Sequence, residues 1–242
     1  MSQKILIFII TYKASFRVRD VLEKIPFGYI KNLNYQIYIS DDNSNDDTLN
    51  YIRDIKKKYP KIVFKLNQKN IGYGGNIKRC IKYAFDKKFN YAIMLHGDDQ
   101  YHAKYIKKMI GSFKLNKKIA AISGSRMKNK RGALKGNMPI YKFLGNIILT
   151  KLFNIFYNTN FSDCHTGYWA YNLNQINKNY FIKADDKFCF DIDLRLLMVH
   201  NKLKISEIMI NTKYGTERSS FHFIYALRYF IKIIKFKMLK KI

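Results

Sequence analysis

The sequence predicts an α/β protein: a mostly parallel open sheet flanked by helices. Three observations carry the prediction. Short apolar runs alternate with stretches of helical periodicity along the first half of the chain. The first run, Ile5–Ile10, is apolar throughout, as a strand buried on both faces must be. The later runs end in acidic or glycine-rich turns, on the edge where such sheets bind ligands.

Taken in order, Ile5–Ile10 ends at Thr11-Tyr12-Lys13. Phe16–Ile25 reads as a helix with Val18, Val21, Leu22 and Ile25 on one side, stopped by Pro26. Tyr35–Ile39 is a second strand running into Ser40-Asp41-Asp42-Asn43-Ser44, whose polar side chains and successors can cap a helix over Asp47–Tyr59. Ile62–Leu66 is a third strand. The glycines of Asn70-Ile71-Gly72-Tyr73-Gly74-Gly75-Asn76 then allow close backbone approach to a ligand at the start of a helix reaching Asp86. They do not fit a dinucleotide fingerprint. Tyr91–Leu95 is a fourth strand, Ala103–Phe113 a helix and Ile119–Ser123 a fifth strand.

Beyond Ser123 the alternation lapses. Lys128, Lys130, Arg131, Gly132, Lys135 and Gly136 read as a mobile basic loop, either solvated or meeting phosphates. Tyr141–Tyr157 is a helix with a wide apolar face. Asp163 to Tyr171 mixes polar groups with aromatics, as a sugar-binding wall does. Phe188–Val199 is a helix with Asp191 and Asp193 near its start, Ile205–Ile210 a strand and Tyr214–Ser220 a polar turn. Ser220–Ile242 is a last helix with Phe223, Leu227, Phe230, Ile234 and Met238 on one stripe and basic residues off it. It either lies on an anionic membrane or docks on the core with a solvated basic face.

The 242 residues suffice for one large domain, expected over 1–220, with the basic amphipathic helix 221–242 appended. The net charge of +28 points to an anionic partner, with a contribution from a composition rich in Lys, Asn and Ile. The three cysteines are odd in number and widely spaced, which argues against a disulfide frame or a zinc site. The first apolar run is too short for a signal peptide, and no apolar stretch reaches the ~20 residues that span a bilayer. A non-enzymatic nucleic-acid-binding protein is disfavoured, because the basic residues are spread along the chain and no such motif is present.

The stretch most informative about chemistry is Tyr91-Ala-Ile-Met-Leu-His-Gly-Asp-Asp-Gln-Tyr101. A buried strand stops abruptly at carboxylates, and Asp98 and Gln100, two apart, can aim oxygens at one point. Such oxygen ligands suit Mg²⁺ or Mn²⁺ bridging phosphates. By itself the stretch fits an ordinary acidic loop equally well.

Taken together, these residues resemble glycosyltransferase family 2, with the Rossmann-like GT-A fold, and within it the dolichyl- or polyprenyl-phosphate sugar synthases. Over about residues 5–220, Thr11-Tyr12 is similar to the first-strand motif. Asp41-Asp42-Asn43-Ser44 resembles the nucleoside-binding turn, and Asn70, Gly72 and Gly74 the loop after it. Asp98 and Gln100 match the metal-binding motif, with His96 in place of its first Asp. Gly124-Ser125-Arg126 matches a further motif. Asp163, Gly167, Ala170 and Tyr171 match an acceptor-side segment in which Trp169 replaces the usual Arg. Asp193 stands where an acid is expected, and Tyr214, Arg218 and Ser220 resemble the last motif.

The resemblance implies a metal-dependent, inverting transfer from a nucleoside-diphosphate sugar. Thr11, Tyr12, Asp41, Asp42, Asn70, Gly72, Gly74 and Asp98 would bind the donor. Asp98 and Gln100, with His96, would hold Mg²⁺ or Mn²⁺. Arg126 would supply positive charge at the diphosphate leaving group, and Arg126, Arg131, Lys142, Asp163 and Arg218 would meet the acceptor or its phosphate. The acceptor implied is a polyprenyl or dolichyl phosphate, which is already anionic and needs no strong general base; the alternative is a sugar hydroxyl. A sugar hydroxyl in capsule or lipopolysaccharide synthesis would need a general base, with Asp193 the first candidate. The expected location is cytoplasmic, peripheral to the inner face of the membrane.

Overall fold

The computed structural model describes residues 3–212, 214 and 223–239. The chain runs through β1 (Lys4–Thr11), α1 (Arg17–Glu23), α2 (Phe27–Ile30), β2 (Asn34–Asp41), α3 (Thr48–Lys58) and β3 (Val63–Leu66). It continues through α4 (Tyr73–Asp86), β4 (Tyr91–His96), α5 (Ile106–Leu115), β5 (Ile119–Ser125), α6 (Lys130–Lys135) and α7 (Ile140–Tyr157). β6 (Trp169–Asn172), α8 (Lys178–Lys183), α9 (Phe190–His200), β7 (Lys204–Met209) and α10 (Phe223–Leu239) complete it.

The strands form one seven-stranded sheet in the order β3-β2-β1-β4-β6-β5-β7. β1 is central, parallel to both β2 and β4, and buried from Ile5 to Thr11, which is why its apolar run is unbroken. The register aligns Thr11 with Asp41 and Ile10 with His96, so three strands end at one edge. β6 runs antiparallel between β4 and β5 and enters the sheet from that same edge, pairing Ala170 with Ile93 and Trp169 with Ser123.

One sheet face is covered by Val18 and Leu22 of α1, Ile52 of α3 and Ile106 and Met109 of α5. Ile77 and Ile81 of α4, Phe181 of α8 and Phe190 and Leu194 of α9 cover the other. α9 carries a further layer, in which Phe153 of α7 packs with Ile192 and Leu196 of α9 and Tyr229, Ile233 and Phe236 of α10.

Three expectations change. The basic stretch after Ser125 is not an irregular loop: it forms a 3-10 turn at Met127–Asn129 and then α6, with Ala133 buried. Arg131 is exposed on that helix. The segment expected as a sugar-binding wall becomes strand β6, with Tyr168, Trp169 and Tyr171 fully buried, so these rings are core. α10 docks through Tyr229, Ile233 and Phe236, which lie opposite the stripe of Leu227, Phe230, Ile234 and Met238 at about 3.6 residues per turn. The short helices α2 and α8 have too few residues to show periodicity. Arg218, the polar turn around it and the proposed boundary at residue 220 lie outside the described residues.

Candidate active site at the carboxyl edge of the sheet

Beyond β4 the chain turns sharply at Gly97, where a Cβ would sit 2.8 Å from the Thr11 side chain. Asp98 follows, exposed, with Oδ1 accepting the Gln100 amide at 3.0 Å. Asp99, in the left-handed region at φ +59°, turns away and pairs with Lys24. Asp98 is thus the carboxylate that faces outward at the sheet edge. Among the described residues, no three His, Cys, Asp or Glu side chains cluster as a self-sufficient cation site. Asp98 presents one exposed carboxylate at the sheet edge, with the Gln100 backbone turned onto it.

His96 is held in place by one ring nitrogen, which leaves Nδ1 as the nitrogen able to meet a cation. Its Nε2 lies 2.8 Å from the Gly167 carbonyl, which only accepts, so Nε2 carries the proton and is not available to a metal. Burial lowers the His96 pKa against the opposing pull of Asp98, so the ring is neutral near pH 7. Gly167 has no room for a side chain: a Cβ would lie 3.0 Å from Tyr73 Oη and 3.1 Å from His96 Cε1. Its amide donates to Tyr101 Oη at 3.2 Å.

This packing leads to Asp191. Tyr73 Oη donates to Asp191 Oδ2 at 2.9 Å, and its ring centroid stands 5.7 Å from that of His96. Asp191 Oδ1 is buried without a partner among the described residues. Burial raises this carboxyl to about 7, although the Tyr73 hydrogen bond, the Arg195 charge and the neighbouring Trp169 indole act in the opposite direction; the indole N–H itself donates to the Thr166 carbonyl at 3.1 Å. Arg195 is fully buried between the faces of Trp169 and Phe161, 4.6 Å from each ring centroid, and its Nη2 donates to the Asp163 carbonyl at 3.3 Å. Asp193, the expected base, is turned the other way. Its Oδ2 accepts from Lys232 Nζ at 2.6 Å and from the Asp185 amide at 3.0 Å, so it straps α10 to α9.

Arg126 and Asp163 are one buried unit. Nε and Nη2 donate to the two carboxylate oxygens at 2.7 and 2.9 Å, and the Arg126 amide adds a third bond at 3.1 Å. Burial alone would raise the Asp163 carboxyl, but the Arg126 charge and hydrogen bonds hold it well below the usual range. Arg126 Nη1 donates to Tyr214 Oη at 2.9 Å. Lys142 stands 5.8 Å from the Tyr214 ring centroid, with its pKa lowered by burial and by Arg126. Among the described residues at this point, Lys142 has no carboxylate partner, whereas Asp163 neutralises the charge of Arg126.

Removing one partner strands a buried charge, so Asp163→Ala is expected to cost about 3–5 kcal/mol in urea denaturation. Because the folded Asp163 pKa is depressed, the pair's contribution is present above the ordinary carboxylate pKa and lost as pH falls below it.

On the other flank, Asp41 and Asp42 are buried behind the sheet edge rather than presented on it. Asp41 is fully buried and accepts from Thr11 Oγ1 and Ser44 Oγ, both at 2.7 Å, and from the Ser44 amide at 2.8 Å. Asp42 accepts from Asn67 Nδ2 at 2.7 Å and from the amides of Ile71 and Gly72, both at 2.9 Å. Asp42 thus pins the glycine loop to the end of β2. The exposed groups beside it are Tyr12, Lys13, Asn43 and Asn70.

The glycines make a close approach, but to protein. Cβ atoms on Gly72 and Gly74 would lie 2.6 and 2.1 Å from the carbonyl oxygens of Asp186 and Asp185. The Gly75 amide donates to Asp186 O at 2.9 Å, so the start of α4 is already occupied. Gly74→Ala must displace that backbone. It is expected to lower the melting temperature by at least several degrees, as overpacking costs about 1–3 kcal/mol.

Comparison with known proteins fits this geometry. The sequence profile of glycosyl transferase family 2 matches residues 7–178. The chain belongs to that family. An uncharacterized protein of Methanocaldococcus jannaschii is 30% identical over 196 residues, covering 79% of this chain and 77% of its own length. A dolichol-phosphate mannosyltransferase of Pyrococcus furiosus is 28% identical over 161 residues, 63% of this chain, and the chain spans only 43% of that relative. Among solved structures, glucosyl-3-phosphoglycerate synthase of Mycobacterium tuberculosis in complex with UDP superposes with TM-score 0.70 at 11% identity, covering 97% of this chain and 80% of that one. The same enzyme with Mn²⁺ and UDP-glucose gives 0.65 at 12% identity, covering 97% and 79%. The fold is the expected GT-A arrangement.

In the sequence Asp191 is only an acid near a helix start, with no role marked for it. The signal available was its spacing of two from Asp193. Residues two apart on a helix point to nearly opposite sides, so one reaches the sheet edge when the other cannot.

Proposed function

We propose that this glycosyltransferase moves a sugar, with inversion, from a nucleoside-diphosphate sugar to a hydroxyl of a lipid-linked surface glycan of the capsule or lipopolysaccharide class. Asp191 is its general base. The observation that carries the reading is the buried, unpartnered Asp191 oxygen on a carboxyl raised to about 7. A base poised near the working pH is what a hydroxyl acceptor requires. Tyr73 holds its other oxygen and so fixes its orientation.

Mg²⁺ or Mn²⁺ held by Asp98 and Gln100 would share the charge of the diphosphate leaving group. Tyr12 and Asn70 line the donor side, and Asp41 and Asp42 hold the loops that carry them. Lys142 and the exposed Arg131 supply positive charge on the acceptor side.

A second reading keeps the same donor site but transfers to a polyprenyl phosphate. It is favoured by the similarity to the Pyrococcus furiosus dolichol-phosphate mannosyltransferase. In both readings the protein works in the cytoplasm, peripherally on the inner face of a membrane. The net charge of +28 supports this. Among the described residues, no helix is long and apolar enough to cross a membrane.

The test is a thermal-shift screen of UDP-, GDP- and CDP-sugars with and without Mn²⁺. Ligand at a hundredfold excess over its Kd adds about 2.7 kcal/mol, and each kcal/mol raises the melting temperature by about 2–4 °C at this size. One nucleotide class should give that shift with Mn²⁺ and lose it in chelator. No shift with any of them contradicts the donor assignment.

A further inference from the structure

α7 and α10 are packed on each other: Tyr157 Oη donates to the Ile233 carbonyl at 2.7 Å, and Lys237 Nζ lies 5.8 Å from the Tyr157 ring centroid. Both helices turn Phe153, Tyr229, Ile233 and Phe236 inward into the cluster built on α9. Helix geometry then sends a second apolar stripe outward from each. Leu144, Ile148 and Ile155 of α7 and Leu227, Ile231 and Met238 of α10 are between 48% and 76% exposed. Most globular helices put polar residues there.

Neither helix contains an Asp or Glu. Lys151 sits within the outward stripe of α7, and Lys235 and Lys237 flank that of α10, all exposed. An apolar face with a wholly basic border is complementary to an anionic lipid surface, with the side chains entering the acyl boundary and the lysines meeting headgroups. An acidic protein partner would satisfy the lysines but would not call for six outward aliphatic side chains.

We infer that the outward faces of α7 and α10 together seat the protein on an anionic bilayer. This rests on the peripheral membrane position proposed above and names the surface responsible. It also orients the site. Lys142, in the first turn of α7, adjoins Tyr214 and Arg126, so α7 leads from the lipid surface to the acceptor side of the sheet edge.

The test uses the full chain and vesicles of phosphatidylcholine alone or mixed with phosphatidylglycerol. Wild-type protein should co-sediment with the mixed vesicles only, and salt should weaken binding. Leu144→Glu with Ile148→Glu, and separately Ile231→Glu with Met238→Glu, should each lower the bound fraction at least tenfold. A control pair exposed elsewhere, Leu115→Glu with Ile182→Glu, should not. Melting curves and the donor-induced shift should be unchanged in all variants. That shift is measured without vesicles, so its absence in wild type would sink the donor assignment alone. Wild-type binding by the α7 pair overturns the inference. So does a wild-type dimer that ignores vesicles and is dissolved by the same substitutions, since a second copy then covers the face.

Discussion

Replacing Asp98 by Asn should abolish turnover and leave the fold intact. The side chain is exposed and its one hydrogen bond is to the neighbouring Gln100 amide, so the stability change should stay within about 0.5 kcal/mol. The loss is chemical. An amide oxygen is a weaker partner for a divalent cation than a carboxylate. Losing several kcal/mol of charge stabilisation at the leaving group corresponds to about 10³-fold or more in rate. Steady-state turnover with Mn²⁺, alongside calorimetry of donor binding, checks this. Full activity in the variant, or in excess chelator, would refute the metal assignment.

Replacing Asp191 by Asn should separate function from stability. Loss of a positioned base is expected to lower kcat by about 10²–10⁴. The fold should be steadier near pH 8. Folded Asp191 keeps its proton to about 7, whereas an unfolded aspartate loses it near 3.9. Its contribution to stability is therefore complete below the unfolded value and disappears as pH rises through about 7. Above that, the native state carries a buried carboxylate that asparagine removes. Asp193→Asn should do the reverse. It loosens the Lys232 strap between α9 and α10 and lowers stability while kcat is retained. Urea midpoints at about pH 5 and pH 8, with kcat for both variants, discriminate the two roles.

Much of the fold was legible because its signals are local. A strand buried on both faces must be apolar throughout, and β1 is; turns at strand ends must be polar, and those after β2 and β4 are. β6 was not legible. It is four residues long, enters antiparallel and is built of Trp169, Ala170, Tyr171 and Asn172, so composition alone suggested a binding wall. α10 shows the other limit. It is apolar on two sides, and periodicity reports both stripes without saying which one α9 covers.

The site was legible in membership and less so in roles. Gly72 and Gly74 signal close approach, but the sequence does not say that the approaching atoms are the Asp185 and Asp186 carbonyls rather than a phosphate. Arg126 reads as a phosphate ligand until Asp163, 37 residues away, is seen to neutralise it. Arg195 and Tyr73, which surround Asp191, come from helices whose facing is set by packing alone.

The pH dependence of kcat shows whether Asp191 takes the acceptor's proton. UDP-, GDP- or CDP-sugar, whichever the Mn²⁺ screen selects, is supplied with a hydroxyl-bearing lipid-linked sugar in one series and a polyprenyl phosphate in the other. With the hydroxyl acceptor, kcat should rise about tenfold per pH unit below an inflection near pH 7 and then level off. The inflection should vanish in the residual activity of Asp191→Asn and persist in Asp193→Asn. A profile flat from about pH 5.5 to 8.5, or turnover confined to the polyprenyl phosphate with Asp191→Asn fully active, would contradict Asp191 as the base.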